Sequence, residues 1–564
     1  MRRKPLGIVA GGVATVLLVA GGALAASSFI DRPANNPDSV YTLQQTEEFR
    51  FPTNKQNEPT IAVNPLDSNL MVAGANDEQR QPACGPGPVR GDDALESDCS
   101  FFTDVGTSGV YTSSDGGATW QNRGLLPGFT DPAAGDPAAN FEPGKLVSDG
   151  DPVVVYGPKL VGHGKNTEFS YEDGARAYYA SLGAFASTQK ISKNAPEVLT
   201  VSRSDDDGAT WDDPVVAVNA HGHRFNDKEN IWADNNPASP YFGRVYVSWT
   251  QFRDVPGSSE PVMITYSTDG GDTWARPNQL SIASNRGHGG RQGSAVTTGP
   301  DGTVYVIWED SERKGHYKQV VATSMDGGAT FTKQQRIAFV DDIQDPIPGA
   351  NFRTDSFVSV ATDQRVTETQ PFGVVYTAWA DELDGDTGEI VVSKSSDHGL
   401  TWSDPMTVSS ATADGYAFFQ GLGVAPNGRV DVGYQALTAE DEDDFGTGNA
   451  SIDSYYVGST DGGNTWSAPM VVSSESSDPA VSAANSLVEQ FWGDYNTVVS
   501  SNSRAWFIYT DSRDGEGCPA VDAYQHLVAD GTATPDDKPA LGAEDSPCSD
   551  AFGDTDIWVS RVSP

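Results

Sequence analysis

One phrase, Ser-x-Asp-x-Gly-x-Thr-Trp, occurs six times along this chain, at Ser113–Trp120, Ser204–Trp211, Ser267–Trp274, Ser324–Phe331, Ser395–Trp402 and Ser459–Trp466. The fourth copy ends in Phe. A unit recurring at this spacing, and built of short strands, specifies a propeller or a repeat array. No single unit can bury its own apolar face, so the copies must stack on one another. A β-branched or aromatic run enters each copy, as in Val110-Tyr111 and Ile264-Thr265-Tyr266. Ser and Asp side chains hold a turn, Gly supplies positive φ, and Thr-Trp starts the return strand. Asp115, Asp206, Asp269, Asp326, Asp397 and Asp461 are therefore read as turn staples, because six equivalent turns cannot share one active site.

The phrase resembles the Asp-box, or BNR repeat, of sialidases and related β-propellers, from about residue 41 to the C-terminus. Ahead of each copy runs an apolar strand, a Pro/Asn/Gly turn and a strand ending in Trp-x-Asp or similar, as in Val296–Asp310, Val358–Asp381 and Leu422–Gln435. A seventh such line, Gln490–Asp511, is followed by Asp556–Ser560 and has no box. The expected fold is all-β: one propeller of four-stranded antiparallel blades over residues 40–564, seven by this count. The resemblance alone implies six. The seventh blade lacks an outer strand, and Val40–Phe51 is the spare strand expected to close the ring. The composition suits this fold, with 59 Gly and 35 Pro for turns and 10% aromatics for packing between blades.

Arg2, Arg3 and Lys4 precede an uncharged apolar run from Leu6 to Ala26 that ends in Ala23-Leu24-Ala25. This is the pattern of a secretory signal over residues 1–26, with an uncleaved signal-anchor as the alternative. Residues 27–39 read as a solvated linker. The expected location is extracellular, either secreted or anchored with the propeller outside. Four cysteines permit three pairings, of which the local one, Cys84 with Cys99 and Cys518 with Cys548, is the simplest.

The formal charge of −42 repels nucleic acid and anionic membranes. The expected partner is a glycan or glycoconjugate, met by a monomer whose only membrane contact is the N-terminal segment. No cofactor is required. Calcium is the one ion that the acidic runs Asp381–Glu389 and Glu440–Asp444 could hold.

The entry ends of the inner strands crowd the mouth of a propeller's central funnel. Here they carry Asn57 and Glu58; Asp149 and Asp151; Asp227, Lys228 and Glu229; Arg291 and Gln292; Arg353 and Asp355; Gln420; and Gln490, Trp492, Asp494 and Tyr495. So polar a set favours a site over packing. The sialidase resemblance implies three arginines clamping a carboxylate, a Tyr nucleophile with a Glu base, and an Asp acid/base. Arg291 and Arg353 are the candidate clamps. Tyr495, Glu229 and Asp151 are the candidate catalytic residues, and Trp492 is a candidate sugar platform. The first clamp has no counterpart in Gln56-Asn57-Glu58-Pro59, and Phe49-Arg50-Phe51-Pro52 lies seven residues early. Three readings stay open: a divergent glycoside hydrolase of the exo-sialidase type, a glycan-binding or adhesive propeller, and a protein-binding scaffold.

Overall fold

The computed structural model describes residues 28–33, 51–81, 106–130, 145–163, 166–185, 197–219, 224–253, 258–286, 289–313, 316–368, 370–383, 387–410, 415–439, 449–541 and 546–564. They form seven antiparallel sheets, six of four strands and one of five, arranged as the blades of a propeller. The inner strands of blades one to seven begin at Gln56, Val153, Arg224, Arg291, Ser359, Tyr416 and Thr497. The count of seven read from the repeats holds, and the six-bladed alternative does not.

The second strand of each blade is covered on both faces by its neighbours. That is why these strands read as nearly continuous apolar runs rather than alternating ones. All eight residues of Val374–Asp381 and all seven of Ala505–Asp511 are buried. Trp249, Trp308, Trp379 and Trp506 fill these strands with large, fully buried rings.

The six repeated phrases are turns joining third to fourth strands, and all share one hydrogen-bond pattern. In the first, Ser113 Oγ donates to Asp115 Oδ1 (2.9 Å) and accepts from the Gly117 N–H (2.9 Å). Asp115 also accepts from the Thr119 N–H (2.9 Å) and hydroxyl (2.7 Å). The same four bonds recur around Asp326, whose pKa the Thr330 hydroxyl and N–H lower to about 2. These aspartates are spent on their own turns.

Each turn also docks on the second strand of the preceding blade. The glycines at the fifth position of the phrase in blades two to six, Gly208, Gly271, Gly328, Gly399 and Gly463, face Val72, Tyr178, Tyr246, Tyr305 and Tyr376 respectively. Gly117 of the first blade faces Trp506 of the seventh, whose Nε1 donates to the Gly116 carbonyl (2.9 Å). The ring therefore packs continuously from blade seven to blade one. A Cβ on Gly117 would lie 3.0 Å from Trp506 Nε1, and its φ of +76° is left-handed. Left-handed backbone costs a non-glycine residue about 1–2 kcal/mol. Gly117→Ala should thus destabilise by about 1–3 kcal/mol, while Ser114→Ala in the same exposed turn stays within about 0.5 kcal/mol. Chemical denaturation would measure both.

At the edge of blade seven, Ser28–Pro33 pairs antiparallel with Asp556–Ser563, from Ser28 opposite Ser563 to Pro33 opposite Trp558. The linker reading does not hold for these six residues. Of the strand expected in that place, Val40–Phe51, all but Phe51 lie outside the described residues, as does the Cys84–Cys99 pair. Cys518 and Cys548 are bonded to each other. They pin the helix Pro519–Ala529, whose Val521 and Tyr524 pack with Phe51, Leu487, Leu541 and Phe552. The apolar run before residue 27 lies outside the described residues, among which no helix is long and apolar enough to cross a membrane.

Candidate functional site

A recurring backbone device aims side chains into the funnel. In blades one, three, four and six the inner strand is interrupted by a bulge, at Asn57/Thr60, Asp227/Asn230, Gln292/Ala295 and Phe418/Gly421. The residue inside each bulge has positive φ: Glu58 (53°), Lys228 (52°), Gly293 (60°) and Phe419 (46°). Asp151 (50°) and Gly493 (85°) adopt the same conformation just before the inner strands of blades two and seven. Bulges re-aim a side chain out of the pleat. Positive φ in Glu, Asp and Lys costs about 1–3 kcal/mol each and clusters where a site is built.

Those residues converge. The Lys228 ammonium contacts Asp494 and lies 3.6 Å from both Glu58 Oε1 and Asp151 Oδ2. Arg353 grips Asp494 with two bonds, Nε to Oδ1 (2.6 Å) and Nη2 to Oδ2 (2.7 Å), and its Nη2 is 3.9 Å from Glu58. Asn76 ties blades one and two together: its Nδ2 donates to Glu58 Oε2 (2.9 Å), and its Oδ1 accepts the Asp151 N–H (2.8 Å). Gly493 is obligatory for this packing, because a Cβ there would sit 2.8 Å from Glu58 Cγ.

A cavity of about 250 Å³ opens at this point, lined among others by Glu58, Asn76, Asp149, Asp151, Arg353 and Phe491. Lys55, paired with Glu78 at 2.9 Å, stands on the same wall. The Lys55 and Arg353 cations lie 5.1 and 4.9 Å from the centre of the Phe491 ring.

The electrostatics divide the acids. Burial, with Asp151 adding repulsion, pushes the Glu58 carboxyl well above its ordinary range despite Lys228 and Arg353. Burial raises Glu229 likewise, reinforced by Asp151, and both its oxygens are buried without a hydrogen-bond partner. Burial raises Asp227 to about 7 against the pull of Lys228. Asp494 goes the other way: Lys228 and Arg353 outweigh its burial and hold it well below the usual carboxylate range. Two acids in contact with one cation cluster are thus pushed apart, which is how acid and base roles are separated.

The residues singled out from sequence fare unequally. Asp151 and Arg353 line the cavity, whereas Glu229 and Tyr495 are not among its lining residues. The Tyr495 hydroxyl donates to the Pro152 carbonyl (3.1 Å), and burial holds the phenol well above its ordinary value.

Arg291 and Trp492 require correction. Arg291 is fully buried, donates to Asn285 Oδ1 (2.9 Å) and pairs with Asp310 (3.4 Å), its cross-strand neighbour. It stands two residues before the bulge position, which in its blade is Gly293. Trp492 is 1% exposed, donates to Gln435 Oε1 (2.9 Å) and stacks on Phe352. The aromatic wall of the cavity is its neighbour Phe491.

Glu58, Lys228 and Asp494 are the central residues to which sequence reasoning assigned no role. A signal for two of the bulge positions was present, because Glu58-Pro59 and Asp151-Pro152 place an acid before proline at equivalent points of successive units.

No protein-family profile and no curated protein sequence matches the chain. Solved structures do resemble it in arrangement. A protein of unknown function from Dyadobacter fermentans is 14% identical, with 75% of this chain and 100% of that one covered and a TM-score of 0.38. The leech intramolecular trans-sialidase, complexed with 2,7-anhydro-Neu5Ac, is 13% identical over 70% of this chain and 67% of its own (TM-score 0.38). A GH93 α-L-arabinofuranosidase of Fusarium graminearum, complexed with arabinobiose, is 12% identical over 69% and 91% (TM-score 0.40). At such identities these likenesses transfer no residue role to this chain.

Proposed function

We propose that the funnel is a glycoside-hydrolysing site for uncharged sugars, with Glu58 as proton donor and Asp151 as the carboxylate that activates water or attacks the sugar. The observation that carries this reading is the pair itself: two carboxyl groups, Glu58 and Asp151, that line one cavity and flank one ammonium. Both lie 3.6 Å from Lys228 Nζ, so their separation is capped at about twice that distance. Glycoside hydrolases use carboxyl pairs about 5–9.5 Å apart. Burial raises the Glu58 pKa well above its ordinary range, which is the direction a general acid requires.

The charge balance argues for a neutral sugar. Arg353 and Lys228 are the cations at the heart of the funnel, and both are already engaged by Asp494. Among the described residues lining the cavity Arg353 is the one guanidinium, and Asp494 already holds its Nε and Nη2. One observation favours a second reading, a binding propeller without chemistry: both hydrogen-bonding edges that Arg353 offers Asp494 are used internally, which is a structural arrangement as well as a catalytic one. The reading includes export, supported by the signal pattern before residue 27 and by the Cys518–Cys548 bond.

The test is turnover of fluorogenic neutral pentosides and hexosides beside an α-sialoside, by residues 27–564, with Asp151→Asn as control. Cleavage of a neutral glycoside that disappears in the control is expected. Cleavage of the sialoside alone would overturn the substrate class. No turnover, together with direct sugar binding that Asp151→Asn abolishes, would establish the binding reading.

A further inference from the structure

Beside the funnel, where blades four and five meet, lies a second acidic constellation for which the reading above has no use. Glu309 stands on the second strand of blade four, Asp342 on the connection leaving that blade, and Asp355 ahead of the inner strand of blade five. One carboxylate oxygen from each lies within 4.8 Å of the other two.

Acidic neighbours alone do not make a site, but two further observations point to a ligand. Glu309 is 7% exposed, and its Oε2 has no hydrogen-bond partner. Directly opposite on the third strand is Gln319, fully buried, on the same face of the sheet. Its Nε2 donates to the Ser356 carbonyl (2.7 Å), which leaves Oε1 buried and unpartnered. Buried oxygens without donors cost about 1–3 kcal/mol each, and more when charged. The charges that act on Glu309 are all carboxylates: Asp342, Asp355 and Asp310. Asp310 has its own cations in Arg291 (3.4 Å) and Lys318 (3.8 Å), whereas Glu309 pairs with neither.

The ring is also held in place before any ligand arrives. Asp342 Oδ1 accepts the Ser356 N–H (3.2 Å), and Ser356 Oγ accepts the Ile343 N–H (3.2 Å). Both sides of the constellation are thus fixed to one short segment, Asp355-Ser356.

We propose that Glu309, Asp342 and Asp355 bind a calcium ion, with the Gln319 amide oxygen as a further ligand. The donors are all hard oxygens, three of them carboxylate, which suits calcium or magnesium and not a softer metal. Donors facing each other across calcium stand about 4.6–5.2 Å apart, at 2.3–2.6 Å per bond, and the observed envelope falls within that reach. Calcium is preferred because it accepts irregular, largely dehydrated oxygen cages, whereas magnesium keeps most of its waters. This assigns the ion to carboxylates other than those of the acidic runs Asp381–Glu389 and Glu440–Asp444 to which composition alone pointed, although Asp381 Oδ1 accepts the N–H of Asp341, the neighbour of Asp342 (3.2 Å). The inference does not depend on what the funnel binds.

The experiment is calorimetric titration of the chelator-treated full chain with calcium chloride alone, with thermal melts run in parallel. One site is expected, together with a calcium-dependent rise in Tm. Glu309→Gln should weaken that site at least tenfold and abolish the rise, and Asp342→Asn should do the same if the first variant folds poorly. A paired substitution in the acidic run, Asp384→Asn with Asp386→Asn, should leave both intact. No heat and no Tm shift in the unmodified protein would overturn the proposal, as would an unchanged response in both site variants. A magnesium response equal to that of calcium would overturn the choice of ion.

Discussion

Lys228→Met is expected to lower stability at pH 7 by about 3–5 kcal/mol, the usual cost of removing one partner from a buried ion pair. The ammonium is buried within reach of Asp494, Glu58 and Asp151. Burial works against its charge, yet Asp151, Asp494, Glu58 and Asp227 outweigh that and hold its pKa well above the ordinary lysine value. A cation so raised contributes stability at every pH below its ordinary value and loses it only as pH rises through its folded-state value. Asp494 has the opposite sign: its depressed pKa contributes stability above the ordinary carboxylate range, lost as pH falls through the folded-state value. Without Lys228, the remaining carboxylates relieve their repulsion by taking up protons. The deficit against the unmodified protein should therefore narrow between pH 7 and pH 5. Urea denaturation at those two pH values measures it. A deficit below about 1 kcal/mol at pH 7 would mean that the cluster is solvated like a surface network, and that the cavity is open channel rather than a built site.

The architecture was legible because the residues that set it are local and repeated. Six copies of one turn fix the third and fourth strands, and runs such as Val304–Trp308 announce a strand covered on both faces. The seventh blade could be counted without its turn because Gln490–Asp511 and Asp556–Ser560 kept the pattern. The site was legible in position but not in role. Listing the inner-strand entries placed Glu58, Asp151, Lys228, Arg353 and Asp494 together, since topology alone brings them to one mouth. Choosing among them by residue type favoured Arg291 and Trp492, and there the reading failed. A strand alternates sides with period two, and a bulge resets that alternation by one residue. The sequence shows no sign that Gly293, rather than Arg291, occupies the re-aimed position of blade four. Trp492 differs from Phe491 only by this parity, and parity decides which ring meets the cavity and which meets Gln435. The strand at Ser28–Pro33 was hidden for another reason: a short edge strand bonded along one side needs little of the apolar pattern that marks a covered one.

Glu58→Gln is expected to separate the catalytic reading from the structural one most sharply. The substitution removes the transferable proton and keeps the shape, so Asn76 and Gly493 can still pack against it. The amide is neutral, as the protonated acid is, so Tm should change little. Turnover should not hold. General acid catalysis is worth about 10²–10⁴-fold when the leaving group needs a proton. The loss should therefore reach about that size on an alkyl or disaccharide substrate. On an aryl glycoside with an acidic phenol it should shrink below about tenfold, because such a leaving group departs without help. The pH profile provides a second signature. Burial raises the Glu58 pKa, so on this reading the alkaline limb of the unmodified protein's rate profile should lie well above the ordinary glutamate range. In Glu58→Gln that limb should vanish. Equal losses on both leaving groups, with the alkaline limb unmoved, would show that Glu58 only holds the Lys228–Arg353–Asp494 lattice in place and that the proton comes from another residue.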